Sequence, residues 1–377
     1  MYVENLPPAS QKSLNPSDSK GLTLVQTKPD NPSKVRYTKR AFDLGNKHIK
    51  HARIRDGIQV ARLYTAVAKV ASREKCYRTF DYKGDTYAYG SDAIGRSNVY
   101  RLVTDLKSLS EARKIHDFDL FFRSYLAEIT KVKKPDTIQR FRFVLSTSAA
   151  QSDYPKLKAT IEGITSLVVN GNHYEYDLKV DRVVPEGWGV VRSGDTKSFK
   201  QSCIEFDRGL LLDLGEGTAT LTEFDASRGG SSGETTEGEI ISQNSYAEGC
   251  IEIFNAWTGE AASYMGNVAP SPLMLIQALE RGIDDSGRYT FTTNRTLNRN
   301  LNKALSAVLD SRWGAMMENP AIKNAIETAT LDKSNLYACG GGAILFHSQL
   351  KDWGFATVPE PGIASVKGMM NWLQRQA

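Results

Sequence analysis

Cysteine is sparse and scattered. The four residues Cys76, Cys203, Cys250 and Cys339 form no CxxC pair and no Cys/His cluster. That excludes a disulfide framework and a structural zinc site, and sets the expectation of a reduced, cytoplasmic protein. No run of about 18 apolar residues occurs, so no membrane span is expected, and the N-terminus lacks the apolar core of a secretion signal. There is no repeat at a solenoid period. Nor is one sign of charge in excess: 48 Lys and Arg against 43 Asp and Glu leave +5. Such a balance permits an acidic partner without implying nucleic acid. Trp188, Trp257, Trp313, Trp353 and Trp372 have no basic residues interleaved with them, so they read as core or interface anchors rather than a base-stacking platform. Direct nucleic-acid binding is not expected.

What remains is ordinary for a soluble chain, 40% apolar and 24% charged, and 377 residues suffice for two domains or one bilobed unit. Residues 1–35 carry Pro7, Pro8, Pro16, Pro29 and Pro32 among Ser, Lys, Asn and Asp. This composition cannot bury enough apolar surface to offset its conformational entropy, so a disordered tail is expected. Residues 227–239, SRGGSSGETTEGE, read as a flexible insert.

Along the folded part, strand-like runs over 40–63 are followed by YRTFDYKGDTYAY at 77–89, whose alternation around Lys83-Gly84 marks a β-hairpin. Apolar spacing over 97–131 predicts two helices. Strands are expected at 141–146, 159–164, 166–169 and 173–184, with Asn170-Gly171 as a hairpin turn. Helices are expected at 246–264, 273–282, 297–317, 322–328 and 365–373. Strands alternating with helices in two sections indicate an α/β protein with two similar lobes and a ligand crevice between them.

Three glycine turns carry the chemistry. At 210–221, LLLDLGEGTATL, a buried strand ends in Asp213 before Gly215, Gly217 and Thr218. Glycines admit an anion close to backbone N–H groups, and a neighbouring carboxylate can hold a metal through water; the same pattern also serves plain turn chemistry. Asp43-Leu-Gly45-Asn46 precedes a second strand-like run, and Leu336–Cys339 enters Gly340-Gly341-Gly342 before a helix-like segment. A strand–glycine–helix turn aims free N–H groups at one point, favouring a phosphate or serving tight packing.

Taken together these turns resemble the actin/Hsp70/sugar-kinase superfamily. Asp43-Leu-Gly45-Asn46-Lys47-His48-Ile49-Lys50 looks like its first phosphate loop, Asp213-Leu-Gly215-Glu216-Gly217-Thr218 like its second, and LYACGGGAILF at 336–346 like its adenosine motif. Within it the chain resembles the bacterial plasmid-segregation actins of ParM type. Val184-Pro185-Glu186-Gly187-Trp188-Gly189 and Pro361-Gly-Ile-Ala364-Ser365-Val-Lys-Gly368 match their motifs, with Ser365 in place of the usual Asn. The resemblance covers roughly 40–377; the tail and the 227–239 insert depart from it.

The resemblance implies a bilobed actin-like ATPase fold of two RNase H-like lobes. The first lobe is expected at 36–185, rejoined by a C-terminal helix within 361–377, and the second at 186–360. It implies ATP, or GTP in its place, with Mg²⁺ supported by Asp43 and Asp213. Gly45, Asn46, Lys50, Gly215, Gly217 and Thr218 would meet the phosphates; Gly340, Gly341 and Gly342 would lie along the adenosine. Glu186 would orient the attacking water, making it catalytic with Asp43 and Asp213. It further implies self-association into filaments, an adaptor of ParR type and a role in plasmid segregation or a bacterial cytoskeleton. Glu216, an acid between phosphate-loop glycines, is expected to turn outward. A small-molecule kinase on the same fold and a non-hydrolysing nucleotide-binding protein stay open as alternatives.

Overall fold

The computed structural model describes residues 36–45, 48–71, 76–94, 96, 98–101, 111–130, 137–147, 151–193, 208–225, 240–246, 249–270, 272–284 and 288–376. The proposed tail, the 227–239 insert, Asn46 and Cys203 lie outside them. The chain divides into Met1–Arg36 and Tyr37–Ala377, and all that follows concerns the second unit.

Its first sheet grows from β1 (Thr38–Leu44), β2 (His48–Ile54) and β3 (Ile58–Tyr64), an antiparallel meander. The alternation in TKRAFDL sends Phe42 and Leu44 to one face and Ala41 to the other. Next come β4 (Ala66–Lys69), β5 (Thr79–Tyr82), β6 (Asp85–Tyr89) and β7 (Val99–Arg101). Then follow β8 (Gln139–Thr147), β9 (Gly163–Val169) and β10 (Asn172–Pro185). The sheet order is β3-β2-β1-β8-β10-β9-β5-β6-β4-β7, with β8 parallel to both β1 and β10. Both hairpins expected from sequence are present. Lys83 and Gly84 at the β5–β6 turn, like Asn170 and Gly171 at the β9–β10 turn, have positive φ, as two-residue turns of matching twist require.

The second sheet repeats the first in miniature. It holds β11 (Arg208–Leu214), β12 (Ala219–Asp225), β13 (Ile240–Tyr246), β14 (Asn335–Cys339) and β15 (Ala356–Thr357), ordered β13-β12-β11-β14-β15. In each sheet a three-strand antiparallel meander is extended beyond its first strand by two parallel strands. β1, β2, β3, β8 and β10 therefore correspond to β11, β12, β13, β14 and β15.

Helices cover the faces. α1 (Glu111–Ile129) lays Phe118, Phe122 and Tyr125 on Phe42 and Phe143, ring centroids 4.9 to 6.2 Å apart. α2 (Tyr154–Ile161) and α3 (Trp188–Ser193) follow. The second core joins Leu212, Leu214 and Leu221 to α4 (Ile251–Ala262), α5 (Pro272–Arg281), α6 (Arg295–Glu318) and α7 (Pro320–Leu331). The short α8 (Gly342–Leu345) and α9 (His347–Asp352) lead to α10 (Ala364–Arg375). α10 returns to the first sheet: Val366, Met369, Met370 and Leu373 bury with Ala41, Ala52, Val144, Val184 and Trp188. α3 reaches the other way, Val190 and Val191 burying with Leu211, Phe224 and Tyr337 of the second sheet. The two helices touch at Gly189, where a Cβ would stand 2.0 Å from the Ser365 carbonyl oxygen.

Two expectations fail locally. The stretch read as two helices over 97–131 holds strand β7 and one described helix, α1; 102–110 lie outside the described residues. Residues 159–161 are the end of α2, not a strand. Pro155 opens that helix, and Leu157 and Ile161, one turn apart, are its buried face. The strand begins at Gly163, whose φ of 116° is incompatible with a continuing helix. Among the described residues, no helix is long and apolar enough to cross a membrane.

Candidate active site

The two sheets present the carboxyl ends of their parallel strands to one cleft of about 270 Å³, the place where α/β folds bind ligands because loops diverge there. Each first strand delivers an aspartate as its penultimate residue, Asp43 on β1 and Asp213 on β11, then turns on a glycine. The Gly45 N–H donates to the Asp43 carbonyl at 3.2 Å, and the Gly45 carbonyl accepts from the Thr65 hydroxyl at 2.7 Å. In the second turn the Gly215 N–H donates to the Thr218 carbonyl at 2.9 Å, and the Gly215 carbonyl accepts the Cys250 N–H at 3.1 Å. The neighbouring parallel strands place Ser146 beside Asp43 and Cys339 beside Asp213, equivalent positions of the repeat.

Of the residues expected from sequence, the cleft is lined by Asp43, Gly45, Lys50, Glu186, Asp213, Gly215, Thr218, Gly341 and Gly342. Gly217 and Gly340 are not among the lining residues. Gly340, at φ 84°, is a packing glycine: a Cβ there would stand 2.4 Å from Asp213 Oδ1 and 2.5 Å from the Leu214 carbonyl oxygen. Gly217 backs the second turn, its carbonyl carbon 2.2 Å from where a Cβ on Gly249 would lie. Glu216 lines the cleft rather than standing apart from it. Its charge, after burial, helps push the Cys250 thiol up to about 12.

The electrostatics favour a bound cation. Lys50 Nζ lies 3.4 Å from Asp43 Oδ2. Burial opposes the Lys50 ammonium, but the Asp43 and Asp213 carboxylates outweigh it and hold its pKa above the usual lysine value. Asp213 is pushed up to about 6, first by burial and then by the charges of Glu186 and Asp43, against the lowering influence of Lys50 and a Cys339 hydrogen bond. Carboxylates at Asp43, Glu186, Asp213 and Glu216 thus outnumber the cations Lys50 and Arg62 around one cavity.

Two hydroxyls in the lining, Ser146 Oγ and Ser365 Oγ, are buried without a hydrogen-bond partner. Buried polar atoms need partners, so a polar ligand fits this wall. Among the described residues no three His, Cys, Asp or Glu side chains gather into a metal cage. Mg²⁺ does not need one, since it binds through one or two carboxylates, water and substrate phosphates. Phe254, Leu279, Ile344 and Leu345 give the lining an apolar portion suited to an aromatic base, and His48 also lines the cleft. Sequence reading missed Ser146, Arg62 and these apolar positions: a serine closing an apolar strand, an arginine on an edge-side strand and leucines within helices carry no local signature.

Two repeated sheets facing one cleft, each offering an Asp-Gly turn, define the bilobed actin-like fold. Solved structures of that fold match nearly the whole chain. An archaeal actin homolog in complex with ADP superposes with a TM-score of 0.61 at 16% identity, over 90% of this chain and 100% of that one. Bacillus thuringiensis ParM with ATP gives 0.60 at 12% identity, over 90% and 98%. The subunit of a 15-stranded ParM filament from Clostridium botulinum gives 0.55 at 14% identity, over 90% and 100%. No family model and no curated protein sequence matches the chain.

Proposed function

We propose that this protein is an actin-like ATPase that binds Mg-ATP in the cleft and hydrolyses it, with nucleotide state controlling assembly into filaments. One observation carries the reading: Asp43, Asp213 and Glu186, delivered by three different strand ends, converge on a single cavity with Lys50 between the two aspartates. Fold neighbours solved with ADP, with ATP and as a filament support it.

Phosphoryl transfer to water is chiefly positioning and charge stabilisation. In this scheme the N–H groups of the Gly45 and Gly215 turns and the Thr218 hydroxyl hold the β- and γ-phosphates, and Lys50 adds a positive charge. Asp43 and Asp213 would hold hydrated Mg²⁺ through its waters; when bound, the ion neutralises charge on the phosphate oxygens. Glu186, half-buried at the end of β10, accepts a hydrogen bond from the attacking water and orients it. Gly341 lets backbone lie against the nucleoside, and Phe254, Leu279 and Ile344 pack on the base. Asn46, outside the described residues, is proposed as a further phosphate contact. The first lobe is taken as 36–185 with the C-terminal helix, the second as 186–360. Use of GTP, an adaptor protein, a cytoplasmic setting and a role in plasmid segregation or a cytoskeleton complete the proposal.

The test is phosphate release measured alongside pelleting and electron microscopy with Mg-ATP or Mg-ADP. ATP-dependent polymer with hydrolysis is expected, and Glu186→Ala should assemble yet hydrolyse slowly. ADP formation only on addition of a sugar would instead indicate a kinase. Wild-type turnover in Glu186→Ala would remove that residue from its assigned role.

A further inference from the structure

Glu186 lines the cleft, but the side chain that holds its backbone carbonyl, Gln243, does not. Glu186 and Gly187 form a two-residue turn between the end of β10 and the start of α3. Gly187 has φ 80°, and the N–H groups of Val190 and Val191 both donate to its carbonyl, at 2.9 and 3.2 Å. A turn through a positive-φ glycine has several backbone solutions open to it. One of them is selected here by a side chain from the second sheet. Gln243 of β13 donates from its amide nitrogen to the Glu186 carbonyl at 2.6 Å and to the Thr222 hydroxyl at 2.8 Å.

The polarity of this contact is fixed by chemistry. A backbone carbonyl can only accept, so the amide nitrogen, not its oxygen, faces Glu186. Both amide hydrogens are then used, one on each acceptor. Gln243 itself is held in place because Thr222, fully buried on β12, is its register partner across the ladder. The turn is seated on the same patch of the second sheet: a Cβ on Gly187 would meet Leu211 Cδ2 at 3.3 Å and Thr222 Oγ1 at 3.4 Å. Since β10 belongs to the first sheet and β13 to the second, the Glu186 peptide is fixed from both sides of the cleft.

We propose that Gln243 is a positioning residue for turnover: by clamping the Glu186 carbonyl it aims the Glu186 carboxylate at the attacking water. The inference rests on the role given to Glu186 above. Misplacing a positioned group by about 1 Å costs on the order of 100-fold in rate, so loss of the clamp should be seen in turnover and not in nucleotide affinity, since Gln243 is not part of the cleft lining.

The experiment compares wild type, Gln243→Leu, Gln243→Glu, Glu186→Ala and the Glu186→Ala/Gln243→Leu pair, reading ATP affinity and single-turnover phosphate release in the full chain. Gln243→Leu should bind ATP within about threefold of wild type yet release phosphate roughly 10- to 100-fold more slowly. Gln243→Glu puts an acceptor-only carboxylate against the Glu186 carbonyl and should be at least as slow as Gln243→Leu at pH 8; turnover equal to wild type in it would likewise count against the clamp. In the Glu186→Ala background, Gln243→Leu should slow turnover no further, because the group it aims is gone. Should Gln243→Leu fail to fold, Thr222→Val removes the second anchor at nearly constant volume and should cost about threefold in rate alone. Undiminished turnover in Gln243→Leu, or in Thr222→Val where that variant stands in, or a further loss in the pair overturns the proposal. Absence of hydrolysis in the wild type overturns the reading of Glu186 and this proposal with it, an outcome distinct from the former.

Discussion

Replacing Gly340 with alanine should damage the protein far more than the same change one residue later. At Gly340 the backbone has φ 84°, and an added Cβ would stand 2.4 Å from Asp213 Oδ1, 2.5 Å from the Leu214 carbonyl oxygen and 2.8 Å from its carbon. The left-handed conformation costs an alanine about 1–2 kcal/mol. Relieving contacts a full ångström inside van der Waals distance costs a further ~1–3 kcal/mol, since two of the three atoms are backbone. The sum is roughly 2–5 kcal/mol, which at the usual entropy of unfolding per residue lowers the melting temperature of a chain this long by about 3–7 °C. Relief would also displace the Asp213 carboxylate, so Mg-dependent nucleotide binding should weaken in parallel. At Gly341 nothing lies within 4 Å of an added Cβ and φ is −65°. Gly341→Ala should therefore melt within about 1 °C of wild type, and any loss should be confined to nucleotide affinity because this glycine lines the cleft. Calorimetric melting without nucleotide, paired with ATP titration, reads both quantities. Equal melting temperatures for Gly340→Ala and wild type, or equal damage at the two positions, would refute the reasoning.

Three further outcomes follow from the same structure. His51, buried against Tyr125 and facing Arg40 and Arg53, has its pKa pushed down to about 4, first by burial and then by the two arginine charges. The unfolded chain therefore takes up this proton first. The stability it protects is complete above pH 6.5 and is lost as pH falls toward 4, by about 3 kcal/mol. Urea titrations of wild type and His51→Gln should diverge in that window; parallel pH profiles would count against it. Asp213→Asn removes a carboxylate whose ionisation the fold resists, so the nucleotide-free protein should gain about 1–2 kcal/mol, discounted for partial exposure, while Mg-ATP affinity falls. A destabilised Asp213→Asn would contradict this. Trp188 is fully buried, edge-on to Trp372 at 5.6 Å and flanked by the Arg182 and Arg192 guanidiniums at 5.5 and 5.7 Å. Trp188→Ala should cost about 3–5 kcal/mol and expose α10 to proteolysis; an unchanged digestion pattern would show that α10 is held by other contacts.

The parts of the site written in contiguous motifs are legible in the sequence. Asp43 with Gly45, and Asp213 with Gly215 and Thr218, are strand-end aspartates followed by glycine turns, a local pattern with a local physical cause. The hairpins at Lys83-Gly84 and Asn170-Gly171 were legible for the same reason. The failures share a different cause. Residues 159–161 looked like a strand because a short apolar run has no decisive period, and the helix-opening Pro155 decides it. Gly340 looked like a ligand glycine because sequence cannot say that Asp213, over a hundred residues away, occupies the space a side chain would need. Ser146, Arg62 and Gln243 matter only through pairings between strands, Ser146 beside Asp43, Arg62 beside Lys50 and Gln243 opposite Thr222. The five-strand repeat shared by the two sheets is likewise a fact of pairing order, invisible to composition.

The most direct test of the central claim is an equilibrium titration of the purified protein with ATP in the presence and absence of Mg²⁺. The account predicts micromolar or tighter binding, about −8 kcal/mol, that weakens at least tenfold on chelation of Mg²⁺ and in Asp213→Asn. Saturating heat or fluorescence change with neither dependence, or no binding at millimolar ATP, would contradict it.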